Sequence, residues 1–344
     1  MKTVVVSNKG ELQVWDIDKP RITSKQALVK TVSCGICGTD ATIINQSFKG
    51  FEKTSYPLML GHEGVGEVVE IGSEVKGFSV GDLIVLSFVP NHMHDNSLLG
   101  SAWGAFSEYG IVDDFEAYEP NEVPDVAYAQ KKLPDFIDKY EAPVLVTLRE
   151  VFSSIKYFNI QPGDSIVVYG SGPVAMTFIK LLSLLNVQDI VAVVRNENKK
   201  QLLESFGLKA VINSSVHNVK EQISVLYPKG MNFVLDAVGS ENIINEAISL
   251  LKDRGEVLCY GVPKVNNMNL NWANSPYNWK LNFQQMPYKE EEGACHDQIV
   301  QWICDGKLIL SDFISEVIEF EHIIETLQDF VDGKKTKKVI IKYK

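Results

Sequence analysis

Between about residue 160 and residue 260, short apolar runs alternate with amphipathic ones, and that rhythm leaves few architectures open. Residues 165–169, 189–194, 210–213, 233–237 and 256–260 read as strands. Helices are predicted over 174–185, 198–206, 219–226 and 243–251. Strands this apolar must be covered on both faces, which the intervening helices do when the sheet is parallel and doubly wound. The first strand runs into Gly170-Ser171-Gly172-Pro173-Val174-Ala175, a glycine turn that opens a helix. In such a turn Gly170 makes the tight bend and Gly172 lets a pyrophosphate approach the backbone. Pro173 and Val174 start a helix whose N-terminus faces the phosphates, and Ala175 packs it closely on the strand. An acidic residue that grips the ribose diol of NAD is expected roughly 20 residues further on. Val194 stands at that place, followed by Arg195. A missing carboxylate removes repulsion against a 2′-phosphate, and a guanidinium recognises one, so NADP is favoured and NAD possible.

The first third reads differently. Residues 27–32, 66–71 and 83–86 are β-rich runs punctuated by Gly72, Gly77 and Gly81, as in a compact barrel. Two motifs there carry chemistry: Cys37-Gly38-Thr39-Asp40 and Gly61-His62-Glu63-Gly64. A thiolate, an imidazole and nearby carboxylates suit a zinc ion with an open coordination position. Cys37 and His62 are the candidate ligands, with Asp40 placed to accept the second imidazole N–H.

Composition narrows the partners. With 344 residues two domains are expected, and 45% hydrophobic residues supply a sizeable core. A formal charge of −11 argues against nucleic acid or an anionic membrane as the main partner. Cys34, Cys37, Cys259, Cys295 and Cys304 are odd in number and scattered, unlike a secreted disulfide framework. The N-terminal apolar run is too short for a signal peptide, and no stretch reaches the length of a membrane span. A reducing cytoplasm is the expected home.

In their order and separation the motifs resemble the medium-chain dehydrogenase/reductase superfamily, and within it the zinc-dependent alcohol and polyol dehydrogenases related to sorbitol and threonine dehydrogenases. The residues that carry the likeness are Cys34 to Asp40, Gly61 to Gly66, Gln161-Pro162-Gly163-Asp164, the turn at Gly170, and Asp236-Ala237-Val238-Gly239. The resemblance implies an α/β chain with a GroES-like β-barrel catalytic domain, residues 1–150 completed by 287–344. A Rossmann domain, a doubly wound parallel sheet binding NAD(P), would occupy 151–286. It further implies zinc on Cys37 and His62, with Thr39 holding the substrate oxygen and passing on its proton. The substrate would be an alcohol, polyol or sugar, and the protein a homodimer or homotetramer.

Two departures stand out. The family's third ligand aligns with Val146, which binds no metal, so Glu63, Glu150 or Glu141 is expected to replace it, in that order. If the segment is helical, Glu150 lies one turn beyond Val146 on the same face; an ion pair with Arg149 or Lys156 is its ordinary alternative. The four-cysteine lobe common in zinc dehydrogenases is also absent: residues 90–100 contain no cysteine and read as a polar loop. The segment 271–279, rich in Trp, Tyr and Asn, suits either a pocket for a hydroxylated substrate or a subunit contact. Ser87, Trp103 and Phe106 are further pocket candidates, with core packing their ordinary role. Lys334, Lys335, Lys337 and Lys338 read as a solvated turn. Two other functions compete with the leading one: a zinc-free quinone or enone reductase, for which Val146 speaks, and a non-catalytic dinucleotide-binding protein.

Overall fold

The computed structural model describes residues 1–263, 267–333 and 338–344. Contacts divide the chain into two units, Met1–Arg149 with Tyr288–Lys344, and Glu150–Pro287.

The second unit is an α/β layer structure. Six parallel strands run in the order Ala210–Asn213, Asp189–Val194, Ser165–Tyr169, Met231–Asp236, Leu251–Cys259 and Trp279–Phe283. The order reverses beside Ser165–Tyr169, the central and wholly buried strand, and such a switch point opens the crevice where ligands bind. Val167, Val191 and Val234 from three neighbouring strands meet Ile244 and Ile248 of the Glu241–Ile248 helix in one apolar core. Burying side chains of this size contributes roughly 1.5–3 kcal/mol each, which is why the alternation reads so clearly in the sequence. The outermost strand, Trp279–Phe283, overlaps the aromatic segment expected to form a pocket or contact. Its half-exposed pattern lacks the continuous apolar run of the inner strands.

The first unit is built on two sheets. One runs Ile314–Glu319, Lys338–Lys342, Gln26–Ile36, Glu63–Ile71, Leu83–Ser87, with Tyr109–Asp113 also paired to Gln26–Ile36. The other runs Leu12–Asp16, Lys2–Val6, Leu58–Met59, Ser97–Ser101, His92–His94. Val4, Val6, Cys34, Ile36, Val339 and Ile341 share one core with Phe106 and Leu60. The last strand returns antiparallel to Gln26–Ile36, pairing Val339 with Ile36 and Ile341 with Cys34.

Residues 90–100 are not an irregular loop. His92–His94 and Ser97–Ser101 form a hairpin whose tip, Asp95-Asn96, takes φ of 48° and 61°. A two-residue hairpin loop needs positive φ at both positions, which Asp and Asn tolerate. The lysine run also changes meaning: Lys334, Lys335 and Lys337 lie outside the described residues, while Lys338 is buried, 1% exposed. No helix of the described residues is long and apolar enough to cross a membrane. All five cysteines are free thiols.

Candidate metal and cofactor sites

Cys37 stands where the Gln26–Ile36 strand turns into the Gly38–Ile44 helix. Its backbone N–H donates to Asp40 Oδ2 at 2.9 Å. The same carboxylate, wholly buried, presents Oδ1 to His62 Nδ1 at 3.3 Å. Neither of those two atoms has a hydrogen-bond partner, and their close approach turns Nδ1 toward Asp40 and leaves Nε2 as the nitrogen open to a metal. Burial by itself would lower the His62 imidazole. Asp40, and then Cys37, outweigh it and hold the ring well above its ordinary value. His62 is brought in by Gly61, at φ +96°, where a Cβ would lie 2.5 Å from the Phe106 nitrogen.

Cys37 Sγ, a His62 nitrogen and a Glu63 oxygen lie within 4.8 Å of one another, the one such trio among the described residues. Zinc bonds of about 2.0–2.3 Å place tetrahedral donors within about 4 Å of each other, so the trio needs only a small closure to grip one ion. Sulfur, nitrogen and carboxylate are all donors that zinc takes, and the residues fit it. Neither Glu141 nor Glu150 belongs to the trio. Burial, with Asp138 beside it, raises the Glu141 carboxyl.

Glu63 is the best-held carboxylate here. Lys338 Nζ donates to Oε1 at 2.6 Å and Oε2 at 2.5 Å, and Thr147 Oγ1 donates to Oε1 at 2.9 Å. Its room comes from Gly35, directly opposite in the ladder: a Cβ there would fall 2.1 Å from Oε2. Thr147 neighbours Val146 on the helix Val144–Tyr157, so the helix expected to supply a ligand supplies a hydroxyl to Glu63.

In the second unit Gly170 has φ +120°, and its N–H donates to Val193 O at 2.9 Å. A Cβ there would meet Val238 and Ala175 at 3.2 and 3.3 Å, so the turn itself demands glycine. Gly172 is different: its φ of −73° suits any residue, and a Cβ would meet nothing within 4 Å. Nothing inside the unit requires glycine there, and its bareness leaves the helix start approachable from outside. Pro173 and Val174 open the helix Pro173–Leu184. Val194 is buried, whereas Arg195 is exposed and forms no ion pair with a described residue. Lys199 donates to Ser171 O at 2.5 Å, which sets an ammonium against the glycine turn. Asp236, at the end of the neighbouring strand, accepts from Val238, Gly239 and Ser240 N–H at 2.8–3.0 Å, and burial still raises its carboxyl.

Residues 23–122 match the family model for the alcohol dehydrogenase GroES-like domain, and residues 173–284 that for zinc-binding dehydrogenase. The two models follow each other in order and span more than half of the chain. The chain belongs to the zinc-dependent alcohol and polyol dehydrogenase family of the medium-chain dehydrogenase/reductases. Among its relatives are an alcohol dehydrogenase of Geobacillus stearothermophilus, 29% identical over 232 residues, and an L-threonine 3-dehydrogenase of Shewanella putrefaciens, 28% identical over 229. Each match spans 62% of this chain and 63% of the relative. The fold extends over the full length. The 2R,3R-butanediol dehydrogenase of Bacillus subtilis superposes with a TM-score of 0.80 at 20% identity, covering 100% of this chain and 99% of that one. Galactitol-1-phosphate dehydrogenase of Escherichia coli superposes at 0.80 with 19% identity, covering 100% of both.

In this member of the family the structure brings Cys37, Asp40, His62 and Glu63 together, with Thr39 half-buried in the same helical turn. Of the pocket candidates, Ser87 and Phe106 are buried, while Trp103 is half-buried with its ring 5.4 Å from that of His62. Lys338, expected in a solvated turn, is instead buried against Glu63, and no sequence motif marks Thr147 or Lys199. Lys338 had one visible signal, its place at the start of the apolar run Val339-Ile340-Ile341.

Proposed function

We propose that this chain is a zinc-dependent oxidoreductase that moves a hydride between a nicotinamide dinucleotide, NADP(H) by preference, and the CH–OH group of an alcohol, polyol or sugar-type substrate. The observation that carries this reading is the convergence of Cys37, His62 and Glu63 with Asp40 behind the imidazole. The names of the relatives, all dehydrogenases of hydroxyl-bearing molecules, support it.

Cys37 and His62 would hold the metal. Glu63 is the carboxylate nearest to them; its Oε1 already accepts from Lys338 and Thr147, whereas Oε2 accepts from Lys338 alone and keeps a lone pair for a metal. Zinc, when bound, supplies a positive charge that polarises the substrate C–O group, and the nicotinamide supplies the hydride chemistry. Asp40 keeps His62 in one orientation and one tautomer. Thr39 accepts a hydrogen bond from the substrate hydroxyl and passes its proton toward water. At the other site the backbone N–H groups after Gly172 would face the pyrophosphate, and Arg195 would pair with a 2′-phosphate. The cytoplasm and a homo-oligomeric state are part of the same reading.

Metal analysis tests it, together with turnover of an alcohol, polyol and sugar panel under both cofactors. About one zinc per chain and nicotinamide-linked turnover are expected, as for an open site without a structural lobe. Two zincs, or none in metal-replete protein, overturn the metal assignment. Turnover of enones or quinones alone overturns the substrate class.

A further inference from the structure

We propose that the first unit carries a second ligand site, a lysine-lined cleft that binds a small polyanion with clustered phosphate or carboxylate groups. The cleft encloses about 420 Å³ and lies where six chain segments meet. Pockets of about 300–1,000 Å³ are of the size that small ligands fill. Its walls are laced by main-chain bonds: Glu108 N donates to Lys2 O, Thr31 N to Glu108 O, and Tyr343 N to Val32 O, at 2.9–3.0 Å. Lys2, Lys30 and Lys342 spring from strands, while Lys19 and Lys344 flank them outside the strands.

The charge of the cleft opposes that of the chain. Acidic residues outnumber basic ones 44 to 33 overall. Here five lysines, Lys2, Lys19, Lys30, Lys342 and Lys344, line one cavity with two carboxylates, Glu108 and Glu321. Lys344 is spent on Glu321 at 2.7 Å, and Lys342 on Glu319 at 2.8 Å. Lys344 first, and Lys2 more weakly, hold the Glu321 carboxyl below its usual range. Glu108 Oε2 is occupied by the Lys2 backbone N–H at 2.7 Å. Lys2, Lys19 and Lys30 form no ion pair with any described residue; Lys19 instead lies 3.7 Å over the face of Tyr109. Tyr109 is the register partner of Lys30, so Lys19 and Lys30 are gathered at one place. Gathering like charges raises the energy of the folded chain, and an anion in the cleft offsets that cost. Lysine serves as a point charge for oxyanions, whereas a neutral polyol would leave all three unmatched.

Isothermal titration of the metal-loaded, NADP(H)-saturated protein at low salt tests the site, with inorganic pyrophosphate and citrate as probes. Bound metal is measured before and after, so that chelation is separated from binding. One polyanion per chain is expected, weakened at least tenfold in a Lys2→Gln/Lys30→Gln variant and unchanged in Arg195→Ala. Tighter pyrophosphate marks a phosphorylated ligand, and tighter citrate a polycarboxylate. The proposal is overturned if neither probe saturates, if binding survives the double lysine change, if it disappears in Arg195→Ala, or if the heat tracks metal loss alone.

Discussion

Replacing Lys338 by methionine strands the Glu63 carboxylate in the interior of the first unit. The two side chains are 2% and 1% exposed, and Lys338 holds both carboxylate oxygens. After the change only the Thr147 hydroxyl remains on the carboxylate. Breaking one partner of a buried pair costs about 3–5 kcal/mol. The stranded group can escape that cost by taking up a proton, at about 1.4 kcal/mol for each pH unit above the ordinary glutamate range, so roughly 3–4 kcal/mol at pH 7. The two figures agree, and the second predicts a pH signature. The folded variant would bind a proton that its unfolded chain releases, so stability falls as pH rises above the ordinary glutamate range. At pH 5 the deficit should shrink to about 1 kcal/mol. The assay is urea unfolding of parent and variant at pH 5 and pH 7, in chelator so that no metal compensates. Separate probes are needed for each unit, since two units need not unfold together. Lys338→Met/Glu63→Gln should recover most of the loss, because no charge is then left buried. A single variant within about 1 kcal/mol of the parent at pH 7, with no pH dependence, would refute the reasoning.

Gly35→Ala should destabilise the first unit and loosen zinc, because its new methyl falls on Glu63 Oε2; unchanged unfolding and metal content would show that Glu63 moves aside freely. Zinc retention should fall in Glu63→Gln and hold in Glu150→Gln and Glu141→Gln, neither of which joins the trio; equal retention in all three would leave the third position to water. Thr39→Val should lower turnover on the order of 100-fold with zinc and cofactor binding intact, as single-turnover and binding measurements would report. Arg195→Ala should weaken NADP(H) by roughly 1.5–3 kcal/mol and leave NAD(H) nearly unchanged; a parent enzyme that prefers NAD(H), or equal loss of both cofactors, would remove Arg195 from phosphate recognition.

Local pattern made much of this protein legible before any coordinates. The strands of the second unit are continuous apolar runs because helices cover both their faces, and period and burial say the same thing in the residues themselves. Gly170 could be read because its turn demands a conformation that side chains resist, and Asp40, His62 and Cys37 because their motifs are short. The hairpin over His92–Ser101 is not legible in the sequence, since Asp95-Asn96 is a weaker turn signal than one containing glycine, and half-exposed strands lack an apolar run. The Trp279–Phe283 strand is faint for the second of these reasons, pairing on one side only among the described residues. What only the tertiary structure decided is the setting of Glu63. Lys338 lies 275 residues away in sequence and Thr147 lies 84 away, and no local period links either to Glu63. Strand return carries Lys338 there: once Val339 pairs with Ile36, the lysine before it has no exit to solvent and must meet the one carboxylate for which Gly35 leaves room.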